Sequence, residues 1–279
     1  MKIIFYPKAS YLKYTTVIFY IGLAVSIFLP SVFSSQSFAA LSTVMQKNIN
    51  ASEKYHEDSS FLTIKPYQAT LKATLDGTPF KGTGTRTLTK NSQGEWEFHM
   101  SAKIAFFSIK EDSRFRIENQ QVIPLQYCYK RDGIGGKPAD TALFDWKNMK
   151  VNWQNKKRKW SFPLKKGAMD ELSYQLQLQS DLQARKKILV YKLVDDDEIY
   201  ERRFIIEGEE TLKTDMGLID TVRVKINRDD NERETWIWFA PKWDYFFIRL
   251  LQKERGKSYN IELKSAVIDG VTVTGNTKK

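Results

Sequence analysis

Two histidines, His56 and His99, and one cysteine, Cys128, are all that the chain offers for imidazole or thiol chemistry. A single Cys excludes an intrachain disulfide framework and a Cys-based zinc cluster. Two His exclude a multi-His metal site and argue against a His-based triad. Gly133-Ile134-Gly135-Gly136-Lys137 lacks the spacing of a phosphate loop, and Pro138 stands where the Ser or Thr belongs. Gly82-Thr83-Gly84 lacks the third Gly of a dinucleotide fingerprint, and no GxSxG elbow is present. Asp195-Asp196-Asp197-Glu198 lacks the alternating ligands and central Gly of a calcium loop. Glu95, Glu97, Asp145 and Glu210 lie on strand-like runs, but no spacing selects an acid–base pair for a hydrolase of envelope polymers. The sequence therefore reads as non-enzymatic, with no catalytic residue, metal or cofactor.

The basic runs offer binding chemistry instead. Lys156-Lys157-Arg158-Lys159, Lys165-Lys166 and Arg185-Lys186-Lys187 cluster in the middle third, with Trp153 and Trp160 flanking the first. Basic residues interleaved with aromatics suit a polyanion. The N-terminal segment makes nucleic acid the wrong polyanion. Residues 1–39 contain no acid; Lys2, Lys8 and Lys13 precede the apolar run Thr15–Leu29, then Pro30, then Ser37 and Ala39 at the small-residue positions of a cleavage site. This is the pattern of a secretory signal peptide cleaved after Ala39. The run is shorter than the roughly 20 apolar residues of a spanning helix, and an uncleaved inner-membrane anchor is the minority alternative. The expected location is the periplasm, where a lone Cys has no partner within the chain. The basic runs, Lys157 and Arg158 above all, are then expected to meet an anionic envelope surface or an envelope protein.

The elements that must position these residues are mostly strands. The chain has 279 residues, a formal charge of +11, 42% hydrophobic and 13% aromatic residues, which is ample material for a core. Residues 40–64 read as a polar leader, 65–268 as a single β-rich domain and 269–279 as a tail. Short alternating runs begin at Tyr67–Leu75, turn at Asp76-Gly77, return over 80–89 and turn again at Asn91–Gly94. Further strands are expected over 95–106, 114–118, 122–130, 142–146, 151–153 and 160–163, with a Gly-rich loop at 132–140. Residues 168–187 contain no β-branched residue, Gly or Pro, so they are expected to form the one substantial helix, with Asp170 as N-cap and Arg185–Lys187 at its C-terminus. Strands resume over 187–194 and 199–206; a segment at 207–214 leads to a turn at 215–217, and strands follow over 219–226, 235–240, 245–252 and 259–265. The fold class is mainly β: a curved antiparallel meander or open barrel with one helix.

Residues 188–194, 235–240 and 245–248 are apolar on both strand faces, which a sheet with one wet face does not show. Cover on both sides comes from two-sided core packing or from an apolar ligand cavity. Under the second reading Phe115, Leu125, Tyr127, Trp238, Phe246 and Ile248 are the expected wall, with Lys or Arg at the mouth for an anionic head.

Several residue groups carry a family resemblance. They are Thr85-Arg86-Thr87-Leu88, Ser113-Arg114-Phe115, Pro124 with Tyr127, Phe144-Asp145-Trp146, Leu172-Ser173-Tyr174-Gln175, Gly208-Glu209-Glu210 before Gly217, and Trp238-Phe239-Ala240-Pro241. In order and spacing, over residues 65 to 265, the chain resembles the bacterial exported family called domain of unknown function 3108. Phe247 stands where that family often has Pro. The resemblance implies a periplasmic β-rich domain without established chemistry. The layout is also similar, at the level of fold, to Lol-type lipoprotein carriers, which curve a sheet around an apolar cavity. The function expected is a periplasmic binding or carrier protein for an apolar or acylated envelope ligand. The alternative is an envelope-assembly interaction module with no internal ligand.

Overall fold

The computed structural model describes residues 64–276, apart from 80, 105, 134, 135, 230 and 231. The signal segment and all but the last residue of the leader lie outside the described residues. The first half is a run of antiparallel strands: β1 (Tyr67–Leu75), β2 (Lys81–Lys90), β3 (Trp96–Ile104), β4 (Phe107–Glu118), β5 (Gln121–Gly133), β6 (Lys137–Asp145), β7 (Lys150–Gln154) and β8 (Lys159–Pro163). A two-residue strand β9 (Ala168–Met169) and helix α1 (Ser173–Gln183) follow. The second half is β10 (Leu189–Asp195), β11 (Glu198–Thr214), β12 (Gly217–Asn227), β13 (Arg233–Ala240), β14 (Phe246–Glu254), β15 (Lys257–Ile268) and β16 (Val271–Thr272).

All sixteen strands belong to one curved sheet. Each half is a meander, and the halves join where β1 pairs antiparallel with β15, Tyr67 opposite Ile268. β8 and β9 are the two ends of the strand order, and no ladder closes them into a barrel. Side-chain contacts bridge the gap. Trp160 Nε1 donates to the Asp196 carbonyl at 3.0 Å, Arg158 Nη2 to Asp196 Oδ1 at 3.2 Å, and the Arg158 guanidinium stacks 3.8 Å from the Trp160 ring. The basic tip, expected to be free for a partner, thus uses Arg158 to hold β8 against the β10–β11 turn.

The alternation that marked the strands in the sequence is the alternation of burial. Tyr67, Ala69, Leu71 and Ala73 face the core from β1, and Trp96, Phe98, Met100, Ala102 and Ile104 from β3. Turns fall at the expected places: Gly77 takes φ 74°, and Asn91 Oδ1 accepts the N–H groups of Gln93 and Glu95, both at 3.0 Å. Several boundaries differ. Residues 199–214 are one strand, because Gly208 at φ 145° absorbs a bulge between Ile206 and Gly208 without breaking it. The Gly-rich loop is short, since β5 runs to Gly133 and β6 starts at Lys137. The two-sided reading of 188–194 fails at its start: Ile188 is 79% and Val190 41% exposed.

The helix is shorter than expected. Ala168 and Met169 pair in parallel with Lys192 and Leu193, so the segment enters as a strand. The N-cap residue is Leu172 and not Asp170, because the segment leaves β9 two residues later than composition suggests; Asp170 still organises the entry, its Oδ1 accepting the N–H groups of Leu172 at 2.9 Å and Ser173 at 2.8 Å. At the other end Arg185, at φ 55°, closes a Schellman motif. Its N–H bonds the Leu182 carbonyl at 3.0 Å, and the Lys186 N–H bonds that of Asp181 at 2.9 Å. The basic trio Arg185–Lys187 lies just beyond the last helical turn.

Candidate binding site

Helix α1 lies within the curve of the sheet, touching strands of both halves. Its hydrogen bonds reach β2 through Arg86, β5 through the Val122 N–H and β10 through Tyr191. Eight of its eleven residues are buried. A helix enclosed on every side is ordinarily apolar all round. This one is not: apart from Tyr174 and three leucines, every residue is Ser, Gln or Asp. Each buried polar group therefore needs a partner. Gln177 Oε1 accepts the Val122 N–H at 2.9 Å, and Asp181 Oδ2 accepts the Tyr191 hydroxyl at 2.9 Å. Gln179 Nε2 donates to the Asp244 carbonyl at 2.8 Å.

The densest polar cluster sits at the helix entry. Glu171 pairs with Arg202, Nη1 to Oε2 at 2.9 Å and Nη2 to Oε1 at 3.2 Å. The Tyr200 hydroxyl donates to Glu171 Oε1 at 2.8 Å. Ser113 Oγ donates to Asp170 Oδ2 at 2.7 Å, and Tyr127 Oη to Glu111 Oε2 at 2.8 Å. Arg86 Nη2 donates to Gln175 Oε1 at 2.8 Å, while its guanidinium lies 4.9 Å from the Phe98 ring centre and 5.0 Å from that of Phe247. Arg86 Nε is buried and has no hydrogen-bond partner among the described residues. Burial pushes the Glu111 carboxyl up to about 8; the Tyr127 bond opposes this, and the charges of Glu171 and Asp170 add to it. Burial also pushes Asp170 up to about 6 against the hydrogen bonds it accepts. Glu111 thus keeps its proton at neutral pH. Among the described residues no group of three or more His, Cys, Asp or Glu is placed to hold a metal ion.

The residues read from the sequence as a cavity wall are spread over both faces of the sheet. Phe115 and Tyr127 face the core, fully or nearly buried. Leu125 is the extra residue of a bulge, since Phe115 pairs with Pro124 and Arg114 with Gln126, and it is only half-buried. Trp238 lies on the face away from α1, where its Nε1 donates to Glu210 and Arg249 covers its ring at 5.2 Å. Ile248 is the extra residue of a second bulge, between the pairs Trp238–Arg249 and Phe239–Phe247, and is fully buried. Phe246 packs edge-on against Tyr67 at 4.9 Å and borders a recess beside the C-terminal half of α1. Lys65, Gln179, Gln183 and Trp243 are among the other residues that line that recess, whose cavity volume is about 20 Å³, room for one water. Lys157 and Arg158 sit at the exposed β7–β8 tip.

Sequence reasoning missed Arg86, Glu111, Glu171 and Arg202. The signal was present in strand phase: Arg86 shares the inward phase of Gly84 and Leu88, and Arg202 that of Phe204. The motif groups also converge here. Arg86 meets Gln175, and Ser113 meets Asp170 at the helix entry. The family described as "Protein of unknown function (DUF3108)" matches residues 67–264. The chain belongs to that family. Curated proteins give no match. Among solved structures, the DUF3108 chain is similar to a beta-barrel-like protein of domain of unknown function DUF1849 from Brucella abortus. The two are 11% identical, with a TM-score of 0.51 over 74% of this chain and 98% of that one. LprF from Mycobacterium bovis is 11% identical, with a TM-score of 0.25 over 77% and 90% of the two chains. A putative outer membrane lipoprotein-sorting protein domain from Vibrio parahaemolyticus is 10% identical, with a TM-score of 0.21 over 73% and 85%. The first likeness is one of fold; the other two superpose too loosely to bear on it.

Proposed function

We propose that this DUF3108 protein is a non-enzymatic periplasmic binding or carrier protein for an acylated ligand with an anionic head, and that α1 fills the ligand's place in the structure described. The observation that carries this reading is the polar composition of the most enclosed element. Swung into water, α1 would hydrate its Gln, Ser and Asp side chains at little loss. The sheet face it leaves is aromatic and aliphatic, with Leu88, Phe98, Phe115, Tyr191 and Phe204. Glu171 and Gln175 would leave with the helix segment, freeing Arg202 and Arg86 inside an apolar trough. Two such arginines suit a phosphate or carboxylate head, which they grip through paired N–H donors.

The test is native mass spectrometry of protein purified from the periplasm, together with titration by a fluorescent fatty acid. The expected result is a lipid-sized adduct that organic extraction removes. Gln175→Ala, which weakens the hold on the helix, should raise affinity for the probe, and Arg86→Gln should lower it. A bare chain whose folded variants all ignore the probe would sink the reading. The small size of the recess beside α1, about 20 Å³, favours a second one: an envelope-assembly interaction module that never opens. Repeated envelope crosslinking that recovers one protein partner, with no lipid adduct, is its expected signature.

A further inference from the structure

The lysines of the molecule are not spread evenly. Residues 137–167 hold nine Lys and Arg against two acids. Lys147, Lys150, Lys165, Lys166 and Lys187 are exposed and, among the described residues, have no ion-pair partner. The chain path gathers them. The Leu164 N–H bonds the Met149 carbonyl at 2.9 Å, so the Lys165–Ala168 turn begins beside the β6–β7 turn. β9 then pairs in parallel with Lys192–Leu193, which sets that turn beside the start of β10. Large apolar side chains are exposed along the same path: Met149 at 41%, Ile188 at 79%, Val190 at 41% and Ile205 at 48%. Leu189 pairs with Phe204, so Ile188 and Ile205 stand opposite each other one position on.

We infer that this face, at the seam between the two ends of the sheet, docks on an anionic phospholipid bilayer. A protruding aliphatic group beside exposed lysines that have no ion-pair partner among the described residues matches the boundary between headgroups and acyl chains. Lysine, a hydrated point charge on a flexible stem, suits a diffuse field of headgroups; a bound peptide or nucleic acid would call for arginine forks. Each lysine close to such a surface contributes on the order of 1 kcal/mol, and the aliphatic side chains add burial. The seam lies on the outside of the sheet and shares no residue with the site under α1, so it stands or falls separately from the carrier reading.

The experiment labels the full chain with bimane at Ile188→Cys in a Cys128→Ser background, and separately at Lys103→Cys, an exposed position on β3. Vesicles of phosphatidylethanolamine with phosphatidylglycerol should shift the first label to the blue and leave the second unchanged. Pure phosphatidylcholine should do neither. Lys165→Glu with Lys166→Glu should weaken binding about thirtyfold or more, the loss expected from two contacts of about 1 kcal/mol each, and added salt should act the same way. Unchanged thermal melting of the double variant shows that it folds. Failure to bind, binding indifferent to lipid charge, or a bound protein whose label at 188 stays in water would each overturn the assignment. In the last case the N-terminal apolar run is what holds the membrane.

Discussion

Arg202 on β11 holds Glu171, two residues before α1, in a two-pronged pair at 2.9 and 3.2 Å, and both side chains are more than nine-tenths buried. The pair ties the helix entry to the second half of the sheet. Ser113 on β4 and Arg86 on β2 tie the same segment to the first half, through Asp170 and Gln175. Burial works against the charge of Arg202, yet Glu171 and the neighbouring Tyr200 and Tyr174 hold its pKa above the usual guanidinium value. The helix is therefore positioned by directional polar bonds set in an apolar surround.

That arrangement makes an asymmetric prediction for the pair. Removing one partner strands a buried charge, so Arg202→Met alone should cost about 3–5 kcal/mol of unfolding free energy. Glu171→Leu alone should cost a similar amount. The double variant should recover much of the loss, because it leaves no buried charge unpaired and only the Tyr200 hydroxyl loses its partners. Urea denaturation of the four proteins measures the coupling, and additive losses would show that the charges do not act as a pair.

Glu111 makes stability depend on pH in the direction opposite to an ion-paired acid. Its pKa rises from 4.5 to about 8 on folding, first because of burial. Between those values the folded chain keeps a proton that the unfolded chain has released, so stability is greatest below pH 4.5 as far as this group is concerned and falls as pH rises towards 8. Glu111→Gln keeps an acceptor for Tyr127 and removes the titration. The variant should match the parent near pH 4 and exceed it at pH 8 by on the order of 2–4 kcal/mol. Thermal melts across that range check it; a constant offset between the two proteins would refute it.

Local rules made much of the fold readable from sequence, and long-range pairing decided the rest. The turns at Asp76-Gly77 and Asn91–Gly94 were legible because their chemistry is local. Ala168 and Met169 have the composition of the helix that follows, and only their pairing with β10 makes them a strand. Ile188 and Val190 look like core residues, but an apolar side chain does not compel burial. Leu125 was misplaced because counting by twos fails across the bulge at Pro124. Trp238 sits in a run apolar on both faces, where alternation carries no phase. Arg86, Glu111 and Arg202 look like ordinary surface charges, and what distinguishes them is being in step with Leu88, Phe115 or Phe204; Glu171 lies between β9 and α1, where strand phase says nothing.

Gly208 offers a clean test of backbone conformation. Its φ of 145° lies where an L side chain is strained, yet a Cβ there would meet nothing within 4 Å. Gly208→Ala therefore isolates the conformational cost, on the order of 1–3 kcal/mol. The bulge it supports lets β11, seventeen residues long, stay paired with β12 from Arg203 to Thr214. Amide exchange in the Glu209–Thr214 stretch should quicken more than in β1 or β3, and equal protection throughout would mean that the bulge tolerates Ala.

The seam between the sheet ends should be the first part of the fold to open. It rests on the Trp160–Asp196 hydrogen bond, the Arg158–Asp196 pair and the stacking of Arg158 on Trp160. The ion pair is half-exposed on the Arg158 side, so it contributes at most about 1 kcal/mol. Trp160→Ala removes the hydrogen bond and the stacking surface together. Global stability should fall by about 1–2 kcal/mol, while amide exchange in β8 and the β10–β11 turn should rise far more, since these segments are held by the seam and not by the β1–β15 junction. Opening here also loosens one wall of the space that α1 fills. The same substitution should accordingly speed uptake of the fluorescent fatty acid if the ligand enters between the sheet ends, and leave its equilibrium affinity nearly unchanged. An unaltered uptake rate in a variant with a demonstrably open seam would place the entrance elsewhere, at the recess bordered by Phe246 and Trp243.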